Sequence, residues 1–374
     1  MRIQGTARVD RKTKELIKRL RPGDIAVIDH CDLDEVAAES LLEAKIKAVI
    51  NAQPFSTGRY PNLGPQLLAK YGVLLVDNAG PEVLDNIKEG EQIRIVGNRI
   101  ENLSGELLAE GTVLTEAMIR RQMAKAQSNL ISLAEDFIDN TLEFAQREKG
   151  FILGEVEFPP LETTMMGRHV VVVVRGHNYR ADLSALRSYI SEVKPVLIGV
   201  DGGADALLEL GRRPDIIVGD MDSVSDATLQ SGAEIVVHAY PDGRAPGLRR
   251  VQELGLTAKT VAAPGTSEDI ALLLAYEAGA SLIVAVGTHS SMIDFLEKGR
   301  PGMASTFLVR LKVGSVLVDA RGVSELYKTR PGHRHLLQVL IAAALPLALL
   351  IMLSSPVRQV LRLILLQVRL AWRW

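Results

Sequence analysis

In the stretch VDGGADALLELGRRPDIIVGDMDSV, Asp201, Asp215, Asp220 and Asp222 stand directly beside apolar runs that read as buried strands. Carboxylates this close to buried runs are costly unless a cation compensates them. Gly202 and Gly203 follow Asp201, letting the backbone approach a ligand while the amides of the next helix point at the turn. The second half repeats the arrangement, with Ile216 to Val218 ending at Gly219 and Asp220 and Asp222 emerging behind it. Residues two apart on an extended chain point the same way, so these two side chains can converge on one cation. Magnesium suits such a set, because it takes carboxylate oxygens and leaves positions for phosphates. Asp201, Asp220 and Asp222 are therefore the candidate metal-binding and catalytic residues. The competing reading is turn chemistry, with Ser223 or Asp226 capping a helix.

Further polar groups follow other apolar runs. Arg175 and His177 in RGHNYR can reach phosphate or sit in a solvated turn. Thr266 or Ser267 in PGTSEDIALLL can cap a predicted helix whose first turn holds Glu268 and Asp269, where acids also serve the helix dipole. His289, Lys298 and Arg300 lie in GTHSSMIDFLEKGR, and the last two can neutralise a triphosphate. The candidate nucleotide-binding set is Gly202, Gly203, Ser223, Arg175, His177, Thr266, Asp269, His289, Lys298 and Arg300. His30, Cys31 and Asp32 are adjacent in sequence and do not form a hydrolase triad.

The elements that must position these groups are legible from periodicity. HVVVVVRG, PVLIGVDGG, PDIIVGD, AEIVVHAYPD, AKTVAAPG, SLIVAVG and SVLVDARG are continuously apolar runs with helical segments between most of them. That rhythm predicts a doubly wound, mostly parallel sheet. Upstream, DIAVIDH, IKAVINA and VLLVDNAG predict a smaller parallel sheet, and residues 91–114 a hairpin-rich segment. The Gly/Pro-rich loop Gln53–Pro65, with Arg59 and Tyr60, is a ligand loop or a stiffened connection. Ile119, Met123, Ala126, Leu130, Leu133 and Phe137 recur at heptad spacing, which predicts one long helix over 115–150. Its seam is either a homodimer contact or packing along its own domain.

These residues carry a resemblance. DGGA followed by PDIIVGDMDS resembles the nucleotide-binding half of thiamine pyrophosphokinase, and HAYPDGR is similar to that family's Tyr-Pro segment. The resemblance implies magnesium and ATP at Asp201, Gly202, Asp220, Asp222 and Ser223, and attack of a substrate hydroxyl on the β-phosphorus with release of AMP. Two departures stand out. The family's Asp-rich run after Tyr-Pro is replaced by GRAPGLRRVQELG, with a partial equivalent later in PGTSEDIALLLAYEAGA. The β-rich domain that completes the thiamine pocket is also missing from this sequence. With RYPNLGP, RGHNYRADL and the segment 287–314, the chain resembles the SteA proteins of Gram-positive bacteria along its length. That resemblance implies a role in the cytokinetic ring or in cell separation, beside a SteB-like membrane partner. Two functions follow as expectations: a division factor whose pyrophosphokinase-like domain binds nucleotide with or without turnover, or an active enzyme acting on thiamine or a pterin-like hydroxymethyl substrate.

The rest of the chain bounds these readings. Forty-three Lys and Arg against forty-five Asp and Glu give a net charge of −2, which offers no global field for nucleic acid. A single cysteine, Cys31, rules out an intramolecular disulfide and a multi-thiolate metal site. Near the C-terminus, Leu336–Leu353 is apolar except for Gln338 and predicts a single membrane span, with the bulk of the chain cytoplasmic. Arg358, Arg362, Arg369 and Arg373 then form a stripe on a predicted amphipathic helix that lies in the headgroup plane or pairs inside the membrane. The expected architecture is α/β throughout: a small α/β domain over 1–114, a long helix over 115–150, a doubly wound thiamine pyrophosphokinase-like domain over 151–325, and a transmembrane helix with an amphipathic tail over 326–374.

Overall fold

The computed structural model describes residues 2–326, 341–344, 346, 349–350 and 353–371. They fall into two compact units, Met1–Arg321 and Gly322–Trp374.

The first unit holds two sheets. One comprises β1 (Arg2–Asp10), β2 (Ile25–Ile28), β3 (Ala48–Asn51), β4 (Leu74–Asp77), β5 (Gln92–Val96), β6 (Arg99–Asn102), β7 (Leu107–Glu110) and β8 (Thr112–Val113). Their order is β7-β6-β5-β1-β2-β3-β4-β8. β1 to β4 run parallel, and β5 to β8 pair antiparallel. The three parallel strands expected from their apolar runs are β2, β3 and β4. β1 was not expected, because RIQGTARVD mixes charge with small residues, yet it sits mid-sheet between β5 and β2.

The other sheet contains β9 (His169–Val173), β10 (Val196–Val200), β11 (Ile216–Gly219), β12 (Glu234–Ala239), β13 (Lys259–Ala262), β14 (Leu282–Val286) and β15 (Leu317–Asp319). Each of the seven apolar runs is one strand, and every pairing is parallel. The order β13-β12-β11-β10-β9-β14-β15 winds outward from β9 and then reverses to its other side. Helix Ser267–Glu277 covers one face and is buried along nearly its whole length, so its apolar residues are not confined to a stripe. Val170, Val172, Ile198, Ile216 and Val218 pack beneath it. All loops at the carboxyl ends of these strands face the same edge, where open parallel sheets bind ligands.

The predicted long helix is two: Glu116–Ser128 and Leu130–Arg147, separated at Asn129. Its seam turns inward onto its own unit. Ile119 packs with Leu16 and Phe55, while Leu133 and Phe137 meet Tyr60, Phe295 and Leu296. The Phe137 and Phe295 rings lie 6.2 Å apart at 55°, a tilted pairing of the favourable kind. Tyr60 is thus a core anchor of the Gln53–Pro65 loop, and Asn62 holds that loop through bonds to the Leu33 (3.2 Å) and Phe55 (2.7 Å) carbonyls.

The expected transmembrane helix is corrected. Among the described residues no helix is long and apolar enough to cross a membrane. The chain restarts at Pro356, whose missing N–H suits a first helical turn. The resulting helix, Ser355–Ala371, carries Arg358, Arg362 and Arg369 in seventeen residues, and each arginine at a bilayer centre costs about 2.5–3.5 kcal/mol. Residues 336–340, 345, 347–348 and 351–352 of the predicted span lie outside the described residues, as does Arg373. The single-pass location with a cytoplasmic bulk therefore loses its structural basis.

One close approach fixes the strand crossing under the candidate site. A Cβ on Gly203 would lie 2.0 Å from the Val173 carbonyl oxygen, a backbone contact that cannot swing aside. Gly203→Ala is expected to lower unfolding free energy by about 2–3 kcal/mol, read as a lower urea midpoint at unchanged slope.

Candidate functional site

The site is assembled by neighbouring strand ends. Asp201 follows β10 in a left-handed conformation (φ 46°), tolerated by Asp but sparsely populated. Its N–H donates to the Val218 carbonyl at 2.9 Å, and its Oδ1 accepts the Asp220 N–H at 3.0 Å. Gly219 is required between them, because a Cβ there would lie 1.8 Å from Asp201 Oδ1. Asp220 Oδ1 in turn accepts the Asp222 N–H at 2.9 Å, so the turn chemistry read from Asp-x-Asp-Ser is present. Arg250 clamps the same turn, donating to the carbonyls of Met221 and Val224 and to Asp226.

Local amides alone do not satisfy the acids. Burial first, and then the charge of Asp220, push the Asp201 carboxyl up to about 7. Ser267 opposes this by hydrogen bonding. Two unit charges about 4 Å apart repel by roughly 4 kcal/mol even at an effective permittivity of 20. Such a pair holds a shared proton or a cation. The third acid does not join them: Asp222 is exposed on the lip, and the three carboxylates do not gather at ligand distance. A magnesium ion fits Asp201 and Asp220, since it is commonly held by one or two carboxylates with water and phosphate completing its shell.

A cleft of about 590 Å³ opens above the pair. Its lining includes Asp201, Asp220 and Asp222, then Tyr240, Pro241 and Pro246, and also Thr266, Glu268, His289, Lys298 and Arg300. Tyr240 is 55% exposed, which leaves a ring face for stacking. Glu268, His289 and Lys298 are tightly wired. His289 donates its backbone N–H to Glu268 Oε2 at 3.2 Å, and its Nδ1 lies 3.2 Å from that oxygen and 3.1 Å from the Lys298 ammonium. Burial pulls the Lys298 pKa down, with Glu268 opposing. Arg310 reaches toward Glu268 Oε1 at 3.9 Å while pairing with Asp319 at 2.8 Å.

A second cavity of about 980 Å³ adjoins the cleft and shares Val174, Val200, Asp201, His289 and Lys298 with it. Its other walls come from both halves of the unit: Lys12, Lys14, His30 and Ala37 from the first, and Arg175, Tyr179, Gly202 and Ser223 from the second. Arg175 there pairs with Glu209 at 3.2 Å.

The sequence-predicted residues thus separate. Asp201, Asp220, Asp222, Thr266, His289, Lys298 and Arg300 share the cleft, whereas Arg175, Gly202 and Ser223 face the adjoining cavity. Thr266 and Asp269 form a capping box, each accepting the other's N–H at 3.1 and 3.0 Å, which closes that helix end. Asp269 is wholly buried; burial and then Glu268 raise its pKa, and Ser305 donates to it at 2.8 Å. His177 lines neither cavity and lies instead against Glu35. Asp215 sits at the opposite end of β11, where its Oδ2 accepts the Leu197 N–H at 2.8 Å. Ser267, Glu268 and His238 were not singled out as site residues. His238 Nδ1 lies 3.2 Å from Ser267 Oγ, a link visible only once β12 and β13 are paired.

With the geometry set out, comparison with known proteins adds a family. Residues 321–372 match the model of the SteA-like C-terminal domain. The chain carries a SteA-like C-terminal domain. No curated protein matches it. Among solved structures, thiamine pyrophosphokinase from Bacillus subtilis is 22% identical, with a TM-score of 0.25, over 41% of this chain and 59% of that one. A protein from Lactobacillus plantarum is 22% identical, with a TM-score of 0.22, over 36% of this chain and 53% of that one. The 3-isopropylmalate dehydratase LeuD from Methanocaldococcus jannaschii is 15% identical, with a TM-score of 0.24, over 36% of this chain and 98% of that one. The chain therefore spans about three fifths of the length of the Bacillus enzyme.

The raised Asp201 pKa has a stability consequence. An acid whose folded value lies above its unfolded one, about 3.9, costs nothing below pH 4. It costs progressively more up to pH 7 and a constant amount above. Asp201→Asn keeps the acceptor for the Asp220 N–H and removes this charge. The variant is expected to be more stable than the parent by about 1–2 kcal/mol at pH 8 in EDTA, and equal to it near pH 4. Thermal melts at both pH values check this.

Proposed function

We propose that this chain binds a nucleotide's phosphates through a divalent cation on the Asp201–Asp220 pair, and that it uses this binding as a SteA-type cell-division factor. The observation that carries the reading is the pair itself: two carboxylates forced together at adjacent strand ends, beneath a cleft that Lys298 and Arg300 also line. A bound magnesium would supply the charge that lets a polyphosphate approach two acids. Lys298 and Arg300 would hold the opposite phosphate oxygens, and Tyr240 with Pro241 offers a platform for the base. Asp222 on the lip is placed to accept waters around the ion rather than to ligate it. The division role rests on the SteA-like C-terminal domain and on the wider sequence resemblance, which also supplies the expectation of a SteB-like partner.

A second reading, diphosphate transfer to a hydroxyl acceptor such as thiamine or a pterin, is favoured by one feature. The adjoining 980 Å³ cavity meets the cleft at Asp201 and Lys298. An acceptor seated there would have its hydroxyl next to the carboxylate best able to take a proton near neutral pH.

Calorimetric titration of ATP with magnesium into the full chain tests the first reading. Saturable binding is expected, lost in EDTA and weakened at least tenfold in Asp220→Ala with the far-ultraviolet spectrum unchanged. Equal affinity in that variant contradicts it. AMP release on addition of candidate acceptors would move the assignment to the second reading.

A further inference from the structure

A third group of acids lies away from the cleft, where the two halves of the first unit meet. Helix Glu35–Glu43 belongs to the smaller-sheet half, and Glu35 and Glu39 stand one turn apart on the same face. The loop after β9 brings His177 to them from the other half. His177 Nδ1 lies 3.1 Å from Glu35 Oε2 and 3.7 Å from Glu39 Oε1. One ligand atom from each of the three residues lies within 4.8 Å of the others.

Two features separate this cluster from an ordinary ion pair. His177 Nδ1 is buried and lies within reach of Glu35 Oε2 without good hydrogen-bond alignment, though that carboxylate still raises the imidazole pKa against burial. Spacings of about 3–3.7 Å are those expected between ligand atoms around one ion at bond lengths of about 2.0–2.2 Å. The other ring nitrogen, Nε2, lies 2.7 Å from the Asn178 side-chain amide. The two ends of such an amide are interchangeable. With its oxygen accepting Nε2–H, the Nδ1 lone pair faces the carboxylates, the arrangement seen where a second group orients a metal-bound histidine. The surroundings carry both signs: Asp34 and Glu35 crowd Glu297, while the Arg321 charge reaches His177 and the Arg180 charge reaches Glu39. One turn further along the helix an arginine serves the purpose, since Arg180 pairs with both Glu43 and Glu209.

We propose that Glu35, Glu39 and His177 form a binding site for a first-row divalent transition metal of the zinc type. Two carboxylates and an imidazole favour zinc over magnesium, which prefers oxygen alone. The metal ties helix Glu35–Glu43 to the loop Arg175–Arg180 and so fixes the wall of the larger cavity that Arg175 lines. The site is independent of the nucleotide reading and stands if that reading fails.

The test uses the full chain, stripped with EDTA, titrated with Zn²⁺ by calorimetry and with Co²⁺ by visible absorption. One Zn²⁺ per chain is expected, with Co²⁺ bands of a mixed oxygen and nitrogen site. Cys31→Ser, which removes the exposed thiol, and Asp220→Asn, which alters the nucleotide pair, should leave the stoichiometry unchanged. Glu39→Gln and His177→Ala should each weaken Zn²⁺ at least tenfold and abolish the cobalt bands. If His177→Ala does not fold, Glu39→Gln decides alone. Absence of saturable Zn²⁺ binding, or affinity unchanged in the folded variants, leaves only an ion pair and overturns the proposal.

Discussion

Two negative charges held together by backbone geometry set the terms for this molecule. β10 and β11 are neighbours in a parallel sheet, so the residues leaving their carboxyl ends are neighbours too. The Asp220 N–H is bonded to the Asp201 carboxylate, Gly219 is bare to admit that carboxylate, and Arg250 locks the turn beyond. Among the described residues no ion pair reaches either acid; Asp201 has the Ser267 hydrogen bond and the more distant Lys298 charge. A fold selected for stability alone would place a neutral side chain at one of the two positions. Retaining both is the pattern of a site that trades stability for a cation.

The remainder of the cleft follows from that constraint. Lys298 and Arg300 line the same cleft as the acids, so it carries both signs, and the Asp201 charge reaches the Lys298 ammonium. Glu268 and His289 hold the Lys298 ammonium from behind. Lower on the same loop, burial would raise the Asp294 pKa, but the Arg321 guanidinium outweighs it and holds the carboxyl down to about 2. Burial pushes Glu297 up to about 8, with Asp34, Asp294 and Glu35 adding to it. Helix Met292–Glu297 therefore links the cleft, through Phe295 and its aromatic packing, to the half of the unit built on the smaller sheet.

Much of this was legible in the sequence for a simple reason. A strand buried on both faces must be apolar throughout, so β9, β10, β11 and β14 declared themselves, as did the acids that follow two of them. Pairs across the fold were not legible. Ser267 supports Asp201, Glu268 braces His289, and His177 turns away from the cleft toward Glu35. Each depends on which helix faces which loop. The helix over 115–150 read as one element because its heptad spacing persists through Asn129, where the chain nonetheless breaks. β1 was missed because a strand flanked on both sides can still carry polar residues toward each face. At the C-terminus an apolar run of spanning length misled, since hydropathy does not reveal where a helix restarts.

The central claim is that a divalent ion lies between Asp201 and Asp220 when nucleotide is bound. A crystal structure with Mn²⁺ and a non-hydrolysable ATP analogue, phased for anomalous signal, addresses it directly. The account predicts one manganese peak within coordination distance of both carboxylates and of a phosphate oxygen, with Lys298 and Arg300 on the opposite side of the phosphates. Nucleotide bound elsewhere, or the two carboxyls found sharing a proton with no metal between them while nucleotide occupies the cleft, would contradict it.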